Sequence, residues 1–310
     1  MCALSHLIAF FCVVQCSSFQ ILSSSSRHSS LQLRVDDTTE TTLIKNVVHC
    51  GSRRSMIQET FHNLLVTANC GLVFAASAPR ADAISSEEAQ KSYDKYAATY
   101  DELDGGKVAD SLGIEAARSK LLQQARGRTL EIGVGTGLNL QKYKFASSPT
   151  ANDGVTSLTL LDISEGMMGE AKSKLANLDI PEFVDINFVR ADATSELANK
   201  FEPESFDTIV DTFSLCVMGN IGAKQCLSQM SNVVKKETGR ILLIENSRSS
   251  NSFIGAYQDL TAAPSATFGG KGCVSNQNVE KFIQDTAGLH IIKQEEFATG
   301  LFRSFICKCE

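Results

Sequence analysis

Residues 85–310 of the chain contain no run of basic residues, no C-x-x-C pair and only one histidine, His290. This region carries 23 Lys and Arg against 30 Asp and Glu, so its net charge is negative and does not attract the phosphate backbone of a nucleic acid. Its five cysteines form no zinc pattern without a C-x-x-C pair or a second histidine. The sequence therefore predicts neither a nucleic-acid partner nor a metal site, and we expect no histidine base.

The first 84 residues differ in composition from the rest and predict a targeting region. An apolar stretch at 7–14 is long enough for a signal peptide and too short to span a bilayer, although no Lys or Arg precedes it. Residues 17–42 are rich in Ser and Thr, as organelle transit peptides are. We expect this region to be largely disordered and residues 85–310 to form one working domain.

A second targeting signal follows the transit-like stretch. Arg53 and Arg54 precede an apolar segment at 61–78, an order that resembles a twin-arginine export signal. Stacked signals of this kind resemble those of algae with secondary plastids, where a Phe such as Phe19 marks plastid import. The sequence thus predicts a plastid protein of the thylakoid lumen or membrane. A mitochondrial presequence followed by a membrane anchor is the alternative, although that anchor would bury polar groups such as His62 in lipid.

The remaining residues alternate apolar strand patterns with helical patterns. Such alternation predicts a parallel sheet that is covered on both faces and joined by right-handed crossovers. Strand patterns lie at 129–132, 157–161, 185–190, 206–210, 239–244, 289–292 and 301–307, and helical patterns lie at 164–178, 223–236 and 276–286. We therefore expect an α/β fold: a doubly wound, mostly parallel seven-stranded sheet with helices on both faces and a C-terminal antiparallel hairpin.

Three glycines spaced G-x-G-x-G follow the first strand pattern, at Gly133, Gly135 and Gly137. A strand that runs into such a turn lets a nucleoside-like ligand lie against the main chain, because no Cβ atoms intervene. A nicotinamide dinucleotide would need G-x-G-x-x-G, whereas this chain has Leu138 at the corresponding position. An NAD-dependent oxidoreductase is therefore an alternative that the glycine spacing disfavours.

Acidic residues lie at or beside the ends of five strand patterns, where a doubly wound sheet binds its ligand. They are Glu131, Asp162, Asp192, Asp211 and Glu245. Five acids on one rim would repel a pyrophosphate and favour a cationic ligand that carries hydroxyls and an amine. Asp162 suits a ribose diol, Asp192 can accept a hydrogen bond from an adenine amino group, and Ala193 can offer a backbone amide to the ring.

In order and spacing, these motifs resemble those of class I S-adenosylmethionine-dependent methyltransferases, over nearly all of residues 90–308. The matching segments are the glycine motif, 161–164, 190–193 and 206–210. The segment 93–101, Tyr-Asp-x-x-Ala-x-x-Tyr-Asp, is similar to the leading helix of the small-molecule branch, which includes ubiquinone and menaquinone C-methyltransferases. Segments at 215–218, 245–249 and 269–273 are similar to a membrane-associated mitochondrial subgroup and to alkyl thiol methyltransferases, which usually have His where this chain has Asn246.

The resemblance implies S-adenosylmethionine as the cofactor and assigns its contacts. Glu131 and the backbone of Gly133, Gly135 and Gly137 would hold the methionine end, Asp162 the ribose, Ile163 the adenine face, Asp192 and Ala193 the adenine edge, and Asp211 and Thr212 the floor by the sulfonium. The resemblance also implies in-line methyl transfer to a small, lipophilic acceptor such as a quinone-like ring or a thiol. Association with a membrane is a further expectation, and no general base is identified.

Two other interpretations stay open at this point. Asp211 with Glu245 and Asn246 is similar to the metal-binding acids of catechol O-methyltransferases, although an acid at the end of the fifth strand is also common in the metal-free branch. The chain could also be a non-enzymatic assembly factor that keeps the fold, because intact cofactor-binding acids indicate binding and not turnover.

Overall fold

The computed structural model describes residues 84–104, 110–268 and 272–310, all within one compact unit, Arg80–Glu310. Seven strands of this part form one sheet in the order β3-β2-β1-β4-β5-β7-β6. They are β1 Gly127–Ile132, β2 Val155–Asp162, β3 Asp185–Arg190, β4 Thr208–Thr212, β5 Arg240–Asn246, β6 Leu289–Phe297 and β7 Phe302–Cys309. Strands β1 to β5 run parallel, and β7 pairs antiparallel with both β5 and β6. The expected α/β fold with a C-terminal hairpin is confirmed.

The described helices lie before and between these strands. They are α1 Ser86–Tyr96, α2 Tyr100–Asp104, α3 Ile114–Leu122, α4 Glu165–Leu175, α5 Leu197–Lys200, α6 Gly219–Val233, α7 Ser252–Phe268 and α8 Val279–Asp285. A short 3₁₀ turn, Ala97–Thr99, joins α1 to α2, so together they cover the motif at 93–101. No helix among the described residues is both long enough and apolar enough to cross a membrane.

Each face of the sheet is covered by its own set of helices. On one face, buried side chains of α6 and α8 pack with Ile209, Ile241 and Phe305. On the other face, buried side chains of α3 and α4 pack with Val210 and Leu242. These two residues directly follow Ile209 and Ile241 in the chain. Because successive residues of a strand point to opposite faces, an unbroken apolar strand is buried on both sides.

The N-terminus of α4 shows why the local sequence folds as it does. Ser164 caps the helix, as expected, and its hydroxyl accepts a hydrogen bond from the Met167 amide at 3.1 Å. Met167, Met168 and Ala171 are then buried at helical spacing. This cap comes two residues after Asp162, so the same turn fixes both the helix and the acid at the end of β2.

The main element that the sequence did not predict is α7, which lies in a segment rich in Gly, Ser and Ala. Its buried face carries Ile254, Gln258 and Ala262 at a spacing of four residues. Gln258 donates to the carbonyls of Ser247 and Ser275 and accepts from the Ser249 amide. Because polar Gln258 lies between the apolar residues of this face, the helical spacing of apolar residues is interrupted and the sequence does not predict the helix.

Candidate functional site

A cleft of about 310 Å³ lies over the carboxyl ends of β1, β2 and β4, with α1 along one side. It is near the lower end of the range for small-molecule sites and lies where doubly wound sheets bind ligands. Of the predicted cofactor residues, seven line it: Gly133, Gly135, Asp162, Ile163, Asp192, Ala193 and Thr212. The other three, Glu131, Gly137 and Asp211, do not border it.

The three glycines of the loop after β1 serve different purposes. Gly135 has φ +55°, and a Cβ added there would meet nothing closer than a backbone oxygen at 3.9 Å, so it faces open cleft. A Cβ at Gly133 would lie 2.5 Å from the Ser214 side chain, and one at Gly137 would lie 2.6 Å from Leu140. The outer glycines therefore allow close packing, while Gly135 leaves room for a ligand against the main chain.

Asp162 is held firmly at the base of the cleft. One carboxylate oxygen accepts from the Gly135 amide at 2.8 Å, and the other accepts from the Ser164 amide at 2.9 Å. Burial raises the pKa of this carboxyl above its ordinary value, although the backbone hydrogen bonds oppose that shift. Each oxygen keeps a second lone pair, so the carboxylate can still accept from two neighbouring hydroxyls, as a ribose diol requires.

Asp192, just beyond β3, forms the far end of the cleft. Its carboxylate accepts from the amide of Thr194 at 2.8 Å and from its hydroxyl at 2.6 Å. Burial opposes ionisation, but hydrogen bonds from Thr194 and from Ser86 lower the pKa below its ordinary value. Asp192 is thus a fixed anionic acceptor, which suits an exocyclic amine. Its contact with Ser86 also brings the start of α1 across the cleft.

The expected rim of five acids is wrong for Glu131, Asp211 and Glu245. Each is the last residue but one of its strand. Its side chain is therefore buried between one face of the sheet and the segments that cover it, and does not point past the strand end. Asp211 accepts from the Ser214 amide and hydroxyl at 3.1 and 2.6 Å, and Glu245 accepts from the Leu215 amide. For Glu131 and Asp211, direct contact with the cofactor stays a prediction.

Glu131 is nevertheless connected to the cleft. It accepts from the Tyr143 hydroxyl at 2.7 Å and from the Asn139 side-chain amide at 3.0 Å. The same amide group donates to the Thr212 hydroxyl at 2.9 Å, and Thr212 lines the cleft. Burial raises the pKa of Glu131 to about 7, against the effect of these hydrogen bonds.

The raised pKa of Glu131 has a consequence for stability. The folded protein holds this proton to about pH 7, whereas the unfolded chain loses it near 4.5. Protonation of Glu131 therefore adds its full amount to the free energy of unfolding below pH 4.5, and this stabilisation is lost as the pH rises through 7. Glu131→Gln cannot titrate, and its stability relative to the parent is expected to rise by up to roughly 3 kcal/mol across that interval. Urea unfolding of the cofactor-free protein at several pH values measures it. A stability difference between Glu131→Gln and the parent that does not change with pH would contradict the assignment.

Two aspartates tie the leading helices to the cofactor side of the cleft. Asp94 of α1 accepts from the Ser164 hydroxyl at 2.6 Å and from the Gly166 amide at 2.9 Å. Asp101 of α2 accepts from the Thr136 hydroxyl in the glycine loop at 2.5 Å and pairs with Lys174 of α4. Both contacts adjoin the two amides that hold Asp162. We refer to residues 86–104, which contain α1 and α2, as the lid; it is bonded to the same two turns that hold Asp162.

Loosening this lid is expected to speed release of the cofactor. Asp101→Ala removes the hydrogen bond to Thr136 and the partly exposed ion pair to Lys174, so the dissociation rate should rise about 3- to 10-fold. Stopped-flow displacement of the cofactor measures that rate. Glu102→Gln, at the exposed neighbouring position, is the matched control and should leave it unchanged. Equal rates for Asp101→Ala and the parent would show that the lid does not limit release.

The rest of the cleft wall is largely apolar and was not foreseen from the sequence. It includes Phe213, Val217 and Met218 after β4, together with Tyr93 and Tyr100 of the lid. Both tyrosines lay in the motif at 93–101, and Val217 and Met218 lay in the segment at 215–218, so Phe213 alone of these five had no motif to indicate it. The start of α1 could also have been found, because Ser85 and Glu88 form a capping box. Among the described residues, no group of His, Cys, Asp and Glu is arranged to hold a metal ion.

The sequence was compared with known proteins. Residues 129–237 match the model of a family described as a methyltransferase domain. A curated relative, the phosphatidylethanolamine N-methyltransferase of Cereibacter sphaeroides, is 26% identical over 202 residues, which cover 65% of this chain and 88% of that protein.

Solved structures share the fold at lower identity. The [4+2]-cyclase SpnF has a TM-score of 0.54 at 14% identity and covers 73% of this chain and 97% of its own. A complex of DhpI with SAM and HEP has a TM-score of 0.51 at 18% identity, covering 72% and 96%. A SAM-dependent methyltransferase of Leishmania major has a TM-score of 0.50 at 16% identity, covering 72% and 82%.

Proposed function

We propose that this chain, a class I S-adenosylmethionine-dependent methyltransferase, transfers the cofactor's methyl group to a small, lipophilic acceptor such as a quinone-like ring or a thiol. The observation that carries the proposal is the division of the cleft wall into two kinds of surface. Asp162 and Asp192 offer fixed acceptors for the nucleoside, whereas Phe213, Val217 and Met218 offer an apolar surface beside it. An apolar wall favours an acceptor that is itself apolar.

The residues of the chain act mainly by binding and positioning. S-adenosylmethionine supplies an activated methyl group on a sulfonium, so the protein must hold donor and acceptor in line and exclude water. Asp162 and the open face of Gly135 would hold the ribose and the main-chain side of the cofactor. The lid is held beside this half by Asp94 and Asp101, and in that position it would keep water away from the sulfonium.

A thiol or a hydroquinone must also lose a proton when it is methylated. Ser214 is a polar residue of the cleft wall next to Phe213, and its hydroxyl donates to Asp211 at 2.6 Å. Burial raises the pKa of Asp211 to about 6, while hydrogen bonds from Ser214 and Glu245 oppose that shift. In its ionised form, Asp211 can take the Ser214 proton as Ser214 takes one from the acceptor.

A second candidate function comes from the curated relative. The name of that protein gives the amine of phosphatidylethanolamine as its acceptor. An amine on a lipid headgroup would also be consistent with an apolar wall beside the cofactor, because the acyl chains need an apolar environment. N-methylation of a lipid amine is therefore the alternative to quinone or thiol methylation in this cleft.

The acceptor can be identified by incubating the full chain with labelled S-adenosylmethionine and three probes: a long-chain hydroquinone, an alkyl thiol, and phosphatidylethanolamine vesicles. We expect mass spectrometry to find a methylated hydroquinone or thiol. Methylation of the vesicle lipid alone would favour the second candidate. Calorimetry of the same protein should show binding of S-adenosylmethionine and not of NAD. Cofactor binding without a product from any probe or from a plastid lipid extract would support an assembly role.

We also propose plastid localisation, in the thylakoid lumen or at its membrane. The support is compositional and lies in residues 1–83, outside the described part of the chain: a Ser- and Thr-rich stretch followed by Arg53-Arg54 and an apolar segment. N-terminal sequencing of the mature protein should find a terminus close to Ala83. A mature, membrane-bound protein that retains residues 61–78 would overturn the lumen proposal and favour an anchored enzyme.

A further inference from the structure

We propose that Cys216 and Cys273 are a redox modification site that forms a reversible disulfide beside the cleft. The Val274 amide donates to the Cys216 carbonyl at 2.9 Å, so the two chain segments run side by side. A hydrogen bond with the neighbouring Cys273 thiol, together with burial, raises the pKa of the Cys216 thiol well above its ordinary value. Neither cysteine belongs to the cofactor site or to the acceptor wall, and both are free thiols.

The two thiols differ in a way that assigns their roles. Of the five cysteines that the structure describes, Cys273 alone is partly exposed, whereas Cys216 is buried. The Asn246 side-chain amide donates to the Cys273 sulfur at 3.3 Å, which helps to fix the position of that side chain. An external reagent therefore reaches Cys273 first, whereas the buried Cys216 thiol, whose pKa is raised, can attack only a sulfur that is already beside it.

The oxidant that fits this order is a small-molecule disulfide such as glutathione disulfide. The Cys273 thiolate attacks one sulfur of the reagent, the S–S bond of the reagent breaks, and one glutathione leaves as a thiol. The Cys216 thiolate then attacks the Cys273 sulfur and expels the second glutathione. The protein loses two electrons and two protons, and the two glutathione thiols gain them.

The disulfide would join two segments that border the cleft. Cys216 immediately precedes Val217 and Met218 of the acceptor wall. Gly272, next to Cys273, lies against Ile84 so closely that an added Cβ would be 2.6 Å from its side chain, and Ile84 lines the cleft before α1. A covalent S–S bond is much shorter than a contact between thiols, so oxidation draws these two walls together. Oxidation should therefore restrain the lid.

The test uses the full chain equilibrated with glutathione disulfide, alkylated and digested under non-reducing conditions. We expect a peptide pair joined through Cys216 and Cys273, lost on addition of dithiothreitol. Stopped-flow exchange of S-adenosylmethionine should be at least about threefold slower in the oxidised form, as expected when a lid is restrained.

Three variants make the outcome decisive. Cys273→Ser should abolish both the joined peptide and the slower exchange, and Cys216→Ser should stop at a glutathione adduct on Cys273. Cys226→Ser, which removes a buried thiol from α6, is the matched control and should behave as the parent does. A stable glutathione adduct in the parent, or no reaction at either cysteine, would overturn the proposal. A joined pair with unchanged exchange would overturn its link to the cleft.

Discussion

Replacing Gly135 by valine is expected to abolish cofactor binding while the protein still folds. The Cβ of the new side chain would project into open cleft, where nothing but a backbone oxygen lies within 4 Å, so no protein atom is displaced. The cofactor must approach the main chain at this point, and the two methyl groups would occupy its space. We expect affinity to fall by at least about 100-fold, equivalent to roughly 2.7 kcal/mol. Calorimetric titration measures the affinity, and circular dichroism checks the fold.

Valine at a position with φ +55° also strains the backbone, and this effect must be separated from the loss of space. Gly113 offers a matched control, because it has φ +75° and an added Cβ there would meet nothing within 4 Å. It lies before α3 and does not line the cleft. Gly113→Val should therefore lose similar stability and keep its affinity. Similar losses of affinity in both variants would mean that strain, and not occupied space, is the cause.

Asp162→Asn is expected to weaken cofactor binding by about 1–3 kcal/mol, or roughly 5- to 150-fold, because charge-assisted hydrogen bonds to a buried polar partner are lost. The amide keeps one oxygen, but its NH₂ group cannot accept from Gly135, Ser164 or a ribose hydroxyl. Some stability will be lost as well. Titration with the cofactor gives the affinity, and urea unfolding without the cofactor gives the stability.

Asp207 supplies the control for that substitution. It lies at the opposite end of the sheet, just before β4, and its carboxylate accepts from the Arg128 amide at 2.9 Å, as Asp162 accepts from Gly135. Asp207→Asn should therefore lower stability without changing the affinity. If Asp162→Asn binds the cofactor as tightly as the parent does, the ribose assignment is wrong.

The central strands could be predicted from the sequence because they are apolar, and α4 and α6 could be predicted because the first has a cap and the second a clear apolar period. β3 was placed at its observed bounds, and Ser164 was identified as the cap of α4. β4 was expected to start at Phe206, but Phe206 forms only an isolated bridge with Val234. Such shifts at strand ends arise because pairing with neighbours, and not composition, decides where a ladder stops.

The site was predicted only in part, because the sequence does not give the exact position at which each strand ends. The sequence shows that an acid lies near a strand end but not whether it is the last residue or the one before it. That single position separates Asp162, which faces the cleft, from Glu131, which is buried beside Tyr143. The approach of Cys216 to Cys273 and Val274 joins segments that are far apart in the chain, so no local pattern encodes it.

The fastening of the lid also sets an order on the steps of turnover. Asp94 and Asp101 grip the cofactor side of the cleft, whereas neither contacts the acceptor wall at Phe213 and Met218. Because these bonds would have to open for the nucleoside to pass, we expect the donor to bind before the acceptor and its demethylated product to leave after the methylated acceptor. Steady-state kinetics should be compulsory-ordered, with S-adenosylhomocysteine competitive towards S-adenosylmethionine and non-competitive towards the acceptor.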